Sequence, residues 1–179
     1  MHENKQPQSL IDHANDPRFL HLRSLQLPQG RSRTGLYLIE GIRHVARAAE
    51  EHAPIQSLFL SAAVLPNPFG KRLARRLRRS GIPCIQLPPP LYRHLTLAAE
   101  PQGMGAVVRQ QWLSISDVRP AQDCVWLAVE SIDSPGNLGT IIRTAEATGV
   151  TGIVVIGATP IRTSPRLSGR AWDRCFYRG

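Results

Sequence analysis

The sequence predicts an α/β chain made of two small units, and three observations carry that prediction. Apolar runs of strand length alternate with segments of helical periodicity through the first 110 residues. Near residue 124 the texture changes to two nearly continuous apolar runs that bracket one helix, which is a complete βαβ unit. The charge also changes sign along the chain. Residues 1–110 hold 15 basic and 7 acidic side chains, 111–160 hold 2 and 5, and 161–179 hold 5 and 1.

Residues 1–32 are polar, broken by Pro17, Pro28 and Gly30, and read as an extension with one short helix. A first domain is expected over 33–110. Leu36 to Ile39 form a short strand ending at Glu40-Gly41. Ile42, Val45, Ala46 and Ala49 then recur at helical spacing, and Pro54 ends that helix. Ile55 to Leu60 is a second strand. After Pro66-Asn67-Pro68 comes KRLARRLRR, residues 71–79, with six positive charges in nine residues. Leu73 and Leu77 give it one apolar side, and Gly81 closes it. A third strand over 83–87, a helix over 91–99 and a fourth strand over 106–109 complete the domain. Residues 111–123 lack periodicity and read as a linker. In the second unit, 124–130 and 151–157 are strands expected to be buried on both faces. The helix between them carries Leu138, Ile141, Ile142, Ala145 and Thr148 on its inner stripe and ends at Gly149.

Composition narrows the function. The net charge of +9, with twenty of the 22 basic residues arginine, points to a polyanionic partner, and nucleic acid is the first candidate. No apolar run reaches membrane-spanning length and the first 17 residues lack a signal-peptide core. No membrane partner is therefore expected. Three scattered cysteines without a CxxC pair point to neither a disulfide framework nor a zinc site, and a reducing, cytoplasmic setting is the expectation.

Chemistry concentrates in Asp133-Ser134-Pro135-Gly136-Asn137-Leu138-Gly139-Thr140-Ile141-Ile142-Arg143-Thr144-Ala145. A Gly- and Pro-rich loop leaves the carboxyl end of a buried strand and enters a helix, the place where open α/β sheets bind ligands. Free N–H groups at the helix start favour an anion. Asn137 can cap the helix or hydrogen-bond a ligand. Arg143 lies off the apolar stripe, and Gly139, one turn earlier, leaves room for a partner backbone to approach it. Neither a GxxxxGK[ST] phosphate loop nor a GxGxxG fingerprint occurs, so a nucleotide-dependent enzyme is disfavoured.

The stretch DSPGNLGTIIRTAEATG followed by IVVIG closely resembles the first motif of the SpoU/TrmH family of RNA ribose 2′-O-methyltransferases, of the SPOUT superfamily. Upstream, Gly35 to Gly41 is similar to the opening of that family's substrate-binding domain, and Pro101-Gln102-Gly103 with Ala106 to Val108 is similar to its end. The resemblance covers about residues 33–157. It implies S-adenosylmethionine as methyl donor, a ribose 2′-hydroxyl of rRNA or tRNA as acceptor, and Asn137 and Arg143 as active-site residues. A guanidinium essentially never deprotonates, so Arg143 is expected to hold a phosphate and stabilise the developing alkoxide rather than act as a base. Gly139 and the basic helix, through Arg72, Arg75, Arg76 and Arg79, are the expected RNA-binding residues. No residue is assigned to the donor.

Family members are typically homodimers with a trefoil-knotted second domain. Here 124–157 reads as only part of such a domain, because nothing resembling the later motifs follows Gly157. Residues 158–179, with arginines at 162, 166, 170, 174 and 178, read as an aberrant, disordered tail without a strand, such as a shifted reading frame produces. The expectation is a chain that is inactive alone and does not form the family's dimer. The alternative is a non-catalytic RNA-binding module, recognising structured RNA by shape and 2′-hydroxyl contacts.

Overall fold

A computed structural model describes residues 9–96, 98–111, 122–130, 132, 134–156 and 175–178. The chain divides into two compact units, Met1–Arg109 and Gln110–Gly179. Residues 112–121, most of the expected linker, lie outside the described residues.

The first unit runs β1 (Ser9–Leu10), α1 (Pro17–Ser24), α2 (Pro28–Thr34), β2 (Leu36–Glu40), α3 (Ile42–Glu50), β3 (Ile55–Leu60), α4 (Pro68–Arg79), β4 (Cys84–Gln86), α5 (Pro89–Leu95) and β5 (Met104–Arg109). The five strands form one sheet in the order β1-β4-β3-β5-β2. β1, β4 and β3 pair in parallel, and β5 runs antiparallel between β3 and β2.

Strand alternation sends neighbouring residues to two separate cores. Ile39, Leu58, Leu60, Met104, Ala106 and Val108 face Ile42 and Val45 of α3 and Leu73 and Leu77 of α4. Leu38, Phe59 and Val107 face Phe19 and Leu22 of α1 and Leu91, Tyr92 and Leu95 of α5. Phe59 and Tyr92 meet at 5.9 Å between ring centroids. Phe59 lies directly over Gly105, its cross-strand partner, where an added Cβ would come within 2.1 Å of the ring.

The N-terminal segment corrects the expectation of an appended extension over 1–32. Ser9–Leu10 adds a strand to the sheet, and Ile11, Phe19, Leu22 and Leu25 are fully or nearly fully buried. Helix α1 is N-capped by Asp16, whose carboxylate accepts from Arg18 N–H at 2.8 Å and from the Arg18 side chain. The Arg18 guanidinium holds the Asp16 carboxyl well below the usual range, at about 2. Arg31, one of the charges that make the segment read as polar, is buried. It donates to the carbonyls of Gln26 at 2.7 Å and Leu25 at 3.3 Å, satisfying backbone acceptors just beyond α1. The segment reads as an extension because α1 buries only Phe19 and Leu22 and leaves Arg18, Leu20, His21 and Arg23 at the surface.

The two stretches 35–41 and 101–108 meet in the structure. β2 and β5 pair from Leu36↔Arg109 to Glu40↔Gly105. Gln102 Oε1 accepts from Ile42 N–H at 2.9 Å, which satisfies the first turn of α3. Gly103, at φ +72°, lets this loop pass so close to Val64 that a Cβ would sit 2.5 Å from that residue's carbonyl carbon.

The second unit contains β6 (Trp126–Glu130), α6 (Pro135–Ala147), β7 (Gly152–Ile156) and β8 (Cys175–Arg178). All pair in parallel, in the order β6-β7-β8. β8 corrects the expectation of a strandless tail for residues 175–178. Cys-Phe-Tyr is a strand-favouring run, and it extends the sheet beside β7. Residues 157–174 and 179 lie outside the described residues.

β6 is also less buried than expected. It lies at an edge of the sheet, and Ala128 and Glu130 are exposed. Among the described residues, one core joins Ile132, Leu138, Ile142, Ala145, Ile153 and Val155, with Leu127, Val129, Ile141 and Val150 packed against it. Thr148, expected on the inner stripe of α6, is exposed and donates to Thr144 O at 2.9 Å. Helix α6 ends in a Schellman motif, with Val150 N–H on Ala145 O and Gly149 N–H on Glu146 O.

Candidate functional site

Two groups of expected functional residues stand on two helices, one in each unit. On α4, Asn67 caps the N-terminus by accepting from the N–H groups of Phe69 and Gly70 at 2.9 and 3.3 Å. The C-terminus closes with Ile82 N–H on Leu77 O and Gly81 N–H on Arg78 O. Leu73, Ala74 and Leu77 are buried, while Arg72, Arg75, Arg76 and Arg79 are all exposed. No acidic residue lies in α4, and none of these four arginines is in an ion pair among the described residues. The expected RNA-binding arginines are therefore brought together as one unneutralised, well-capped cationic face.

On α6, the structure sorts the expected residues differently. Ser134, not Asn137, is the N-cap residue, and its side chain makes no cap hydrogen bond. Asn137 sits in the first turn, with its N–H on Ser134 O at 3.1 Å and its side chain exposed. Arg143 is exposed and points back along the helix, where Nη2 donates to Thr140 Oγ1 at 3.1 Å. Thr140 in turn donates to Gly136 O at 3.1 Å. Thr140 thus ties the guanidinium to the loop at the helix start, and sequence reasoning missed it. Its spacing, three before Arg143 and four after Gly136, is the signal that could have found it.

Gly139 is buried rather than open beside Arg143. By helix geometry Asn137 and Arg143 lie about 120° apart around the axis and about 9 Å apart along it, so they flank Thr140 rather than share a face. Asp133 of the motif lies outside the described residues.

The loop end of α6 is polar and open. Ser134, Gly136, Asn137 and Thr140 are exposed, and a Cβ on Gly136 would meet only Ser134 Oγ, at 3.6 Å. That set suits a hydrophilic, phosphate-bearing ligand. It does not enclose an adenosyl group, which needs apolar walls.

Elsewhere the polar groups are structural. The Thr96 hydroxyl bonds the Glu40 carboxylate beside the buried Tyr92. Burial first, and then the charge of Glu40, push the Tyr92 phenol far above its usual range, so it stays neutral and is no proton-transfer group. Among the described residues no group of His, Cys, Asp and Glu could hold a metal ion, and no helix is long and apolar enough to cross a membrane.

Comparison with known proteins adds the following. The family profile of the MRM3-like substrate binding domain matches residues 16–106. A 23S rRNA (uridine(2479)-2′-O)-methyltransferase of Streptomyces viridochromogenes is 29% identical over 128 residues, covering 71% of this chain and 44% of that protein. The 23S rRNA (guanosine(2553)-2′-O)-methyltransferase RlmP of Bacillus subtilis is 26% identical over 145 residues, covering 81% and 53%. The chain spans about half the length of these curated relatives. Among solved structures, an rRNA methyltransferase from Sinorhizobium meliloti superposes with a TM-score of 0.79 at 23% identity, covering 97% of this chain and 66% of that one. The SpoU methyltransferase AviRb from Streptomyces viridochromogenes, in complex with the cofactor AdoMet, gives 0.66 at 25% identity, covering 82% and 56%.

Proposed function

Because the chain belongs to the SpoU/TrmH family of RNA ribose 2′-O-methyltransferases and carries its MRM3-like substrate-binding domain, we propose that it serves the methylation of a ribose 2′-hydroxyl in ribosomal RNA, in the cytoplasm. The family's methyl donor is S-adenosylmethionine, which supplies an already activated methyl sulfonium. The described residues do not enclose that donor.

The roles of this chain's own residues lie on the acceptor side. The first unit holds RNA through the α4 arginines, which bind the phosphate backbone without reading sequence. In the second unit Arg143, steadied by Thr140, holds the phosphate next to the reacting ribose and stabilises negative charge as it develops on the 2′-oxygen. Asn137, exposed in the first turn of α6, orients the ribose. The observation that supports this reading is the hydrogen-bond chain Arg143–Thr140–Gly136, which ties the guanidinium back toward the first turn of α6, within the stretch that resembles the family's motif.

The exposed cationic face of α4 favours a second reading, an RNA-binding module without turnover. Filter binding and transfer of radiolabelled methyl from S-adenosylmethionine, measured on the same protein with a ribosomal RNA fragment, separate the two. Methyl transfer lost in Arg143→Ala with binding retained supports the enzyme. Binding by the unaltered chain without any transfer supports the module, and absence of both overturns the RNA assignment.

A further inference from the structure

Phe69 is about half exposed, 49% by accessible area, in the first turn of α4. An aromatic ring left in water is unusual beside a core that takes in Phe19, Phe59 and Tyr92 completely. The backbone that carries it is held firmly. Asn67 bonds its N–H, and Gly70 seats the helix start directly on α3, with a Cβ there only 2.9 Å from Ile42 Cδ1. Phe69, Arg72 and Arg76 follow at i, i+3 and i+7, so the ring and two unneutralised guanidinium groups share one flank of the helix. That flank begins at the carboxyl ends of β2 and β3, where α3 and α4 both start and where exposed Arg43 and His44 add to the polar rim.

An exposed aromatic next to cations is what an unpaired nucleotide requires: a π-face for its base and charge for its phosphates. A paired duplex keeps its bases stacked on each other and has use only for the cations. We infer that Phe69, with Arg72 and Arg76, is a stacking platform for an unpaired base of the RNA, so that the first unit selects single-stranded loops over continuous duplex. This rests on the RNA reading above and adds to it the structural class of the substrate.

Fluorescence anisotropy of the full chain with two labelled probes tests it, an RNA hairpin bearing an unpaired loop and a blunt duplex of equal length. Phe69→Leu keeps apolar bulk but removes the ring, and should weaken the hairpin on the order of tenfold while leaving the duplex unchanged. Phe69→Trp should restore hairpin binding. The salt dependence should stay the same in both variants, because the ring neutralises no phosphate, whereas R72E/R76E should weaken both probes and flatten it. Equal effects of Phe69→Leu on the two probes, or none on either, overturn the platform while leaving RNA binding intact. That includes the case in which Phe69 serves a protein partner. Failure of the unaltered chain to bind either probe overturns the underlying RNA reading instead.

Discussion

The two units solve the same problem, a parallel-rich sheet that must be covered, with different thoroughness. In the first, both faces of the sheet carry helices and two cores form, with Phe19, Phe59 and Tyr92 excluded from water. In the second, among the described residues, one helix covers one face, and Ala128 and Glu130 of β6 are exposed. The helices differ in the same sense. Asn67 closes the start of α4 with two hydrogen bonds, while the Ser134 side chain makes no cap hydrogen bond at the start of α6. The doubly covered unit holds a fixed charged surface. The loop end of α6 is exposed and polar, and Arg143 is bonded back to Thr140.

The contrast can be broken most severely at Phe59. Phe59→Ala removes the ring that joins β3 to α5, and should destabilise the first unit by about 3–5 kcal/mol, read as a lower denaturant midpoint. Amides of β6 and β7 should keep their exchange rates in that variant if the units are energetically separate. A midpoint shift shared equally by both would show that they unfold as one.

The caps offer a sharper comparison at smaller cost. Asn67→Ala should cost about 1 kcal/mol, whereas Ser134→Ala should change stability by less than about 0.5 kcal/mol, because only the first side chain makes the bond. Equal losses in thermal melts would mean that the two helix starts are alike after all.

The smallest effect belongs to Asp16. Its folded carboxyl is held down at about 2 by Arg18, so its contribution is present above the ordinary carboxylate range and is lost as pH falls through that range toward 2. Asp16→Asn keeps a capping oxygen and should therefore flatten the acid limb of the stability profile while changing neutral stability little. An unchanged acid limb would show that other carboxylates govern it.

Much of this was legible in the residues, because the first unit's strands and helices are locally consistent. Ile55–Leu60 and the start of α3 at Ile42 follow from periodicity alone, and KRLARRLRR is amphipathic in any context. The N-terminal segment was not legible, because its buried charge, Arg31, and its two-residue strand gain meaning only from α1 and β4. Nor was β8, whose four residues pair with a strand some twenty positions earlier. At the candidate site, the exposure of Arg143 was readable from its place off the apolar stripe, whereas its role comes from the family resemblance. The capping role open to Asn137 fell to Ser134, because the helix begins at Pro135, one turn earlier than an Asn cap implies. Thr140 was missed because its spacing from Gly136 and Arg143, though present in the sequence, gains meaning only once its hydroxyl is seen between the two.

Phe59 over Gly105 has a counterpart in the other unit, where Trp126 lies over Gly152 and a Cβ would approach the indole to 2.2 Å. Each ring is a key and each glycine the slot it fits. Sliding β3 two places along β5 would bring Phe59 down on the side chain of Val107, and sliding it one place would turn its ring into the opposite layer. Strands separated by a helix, a strand and another helix therefore find one alignment and reject its neighbours by collision. A segment transplanted from either sheet would align correctly only if ring and glycine travelled together.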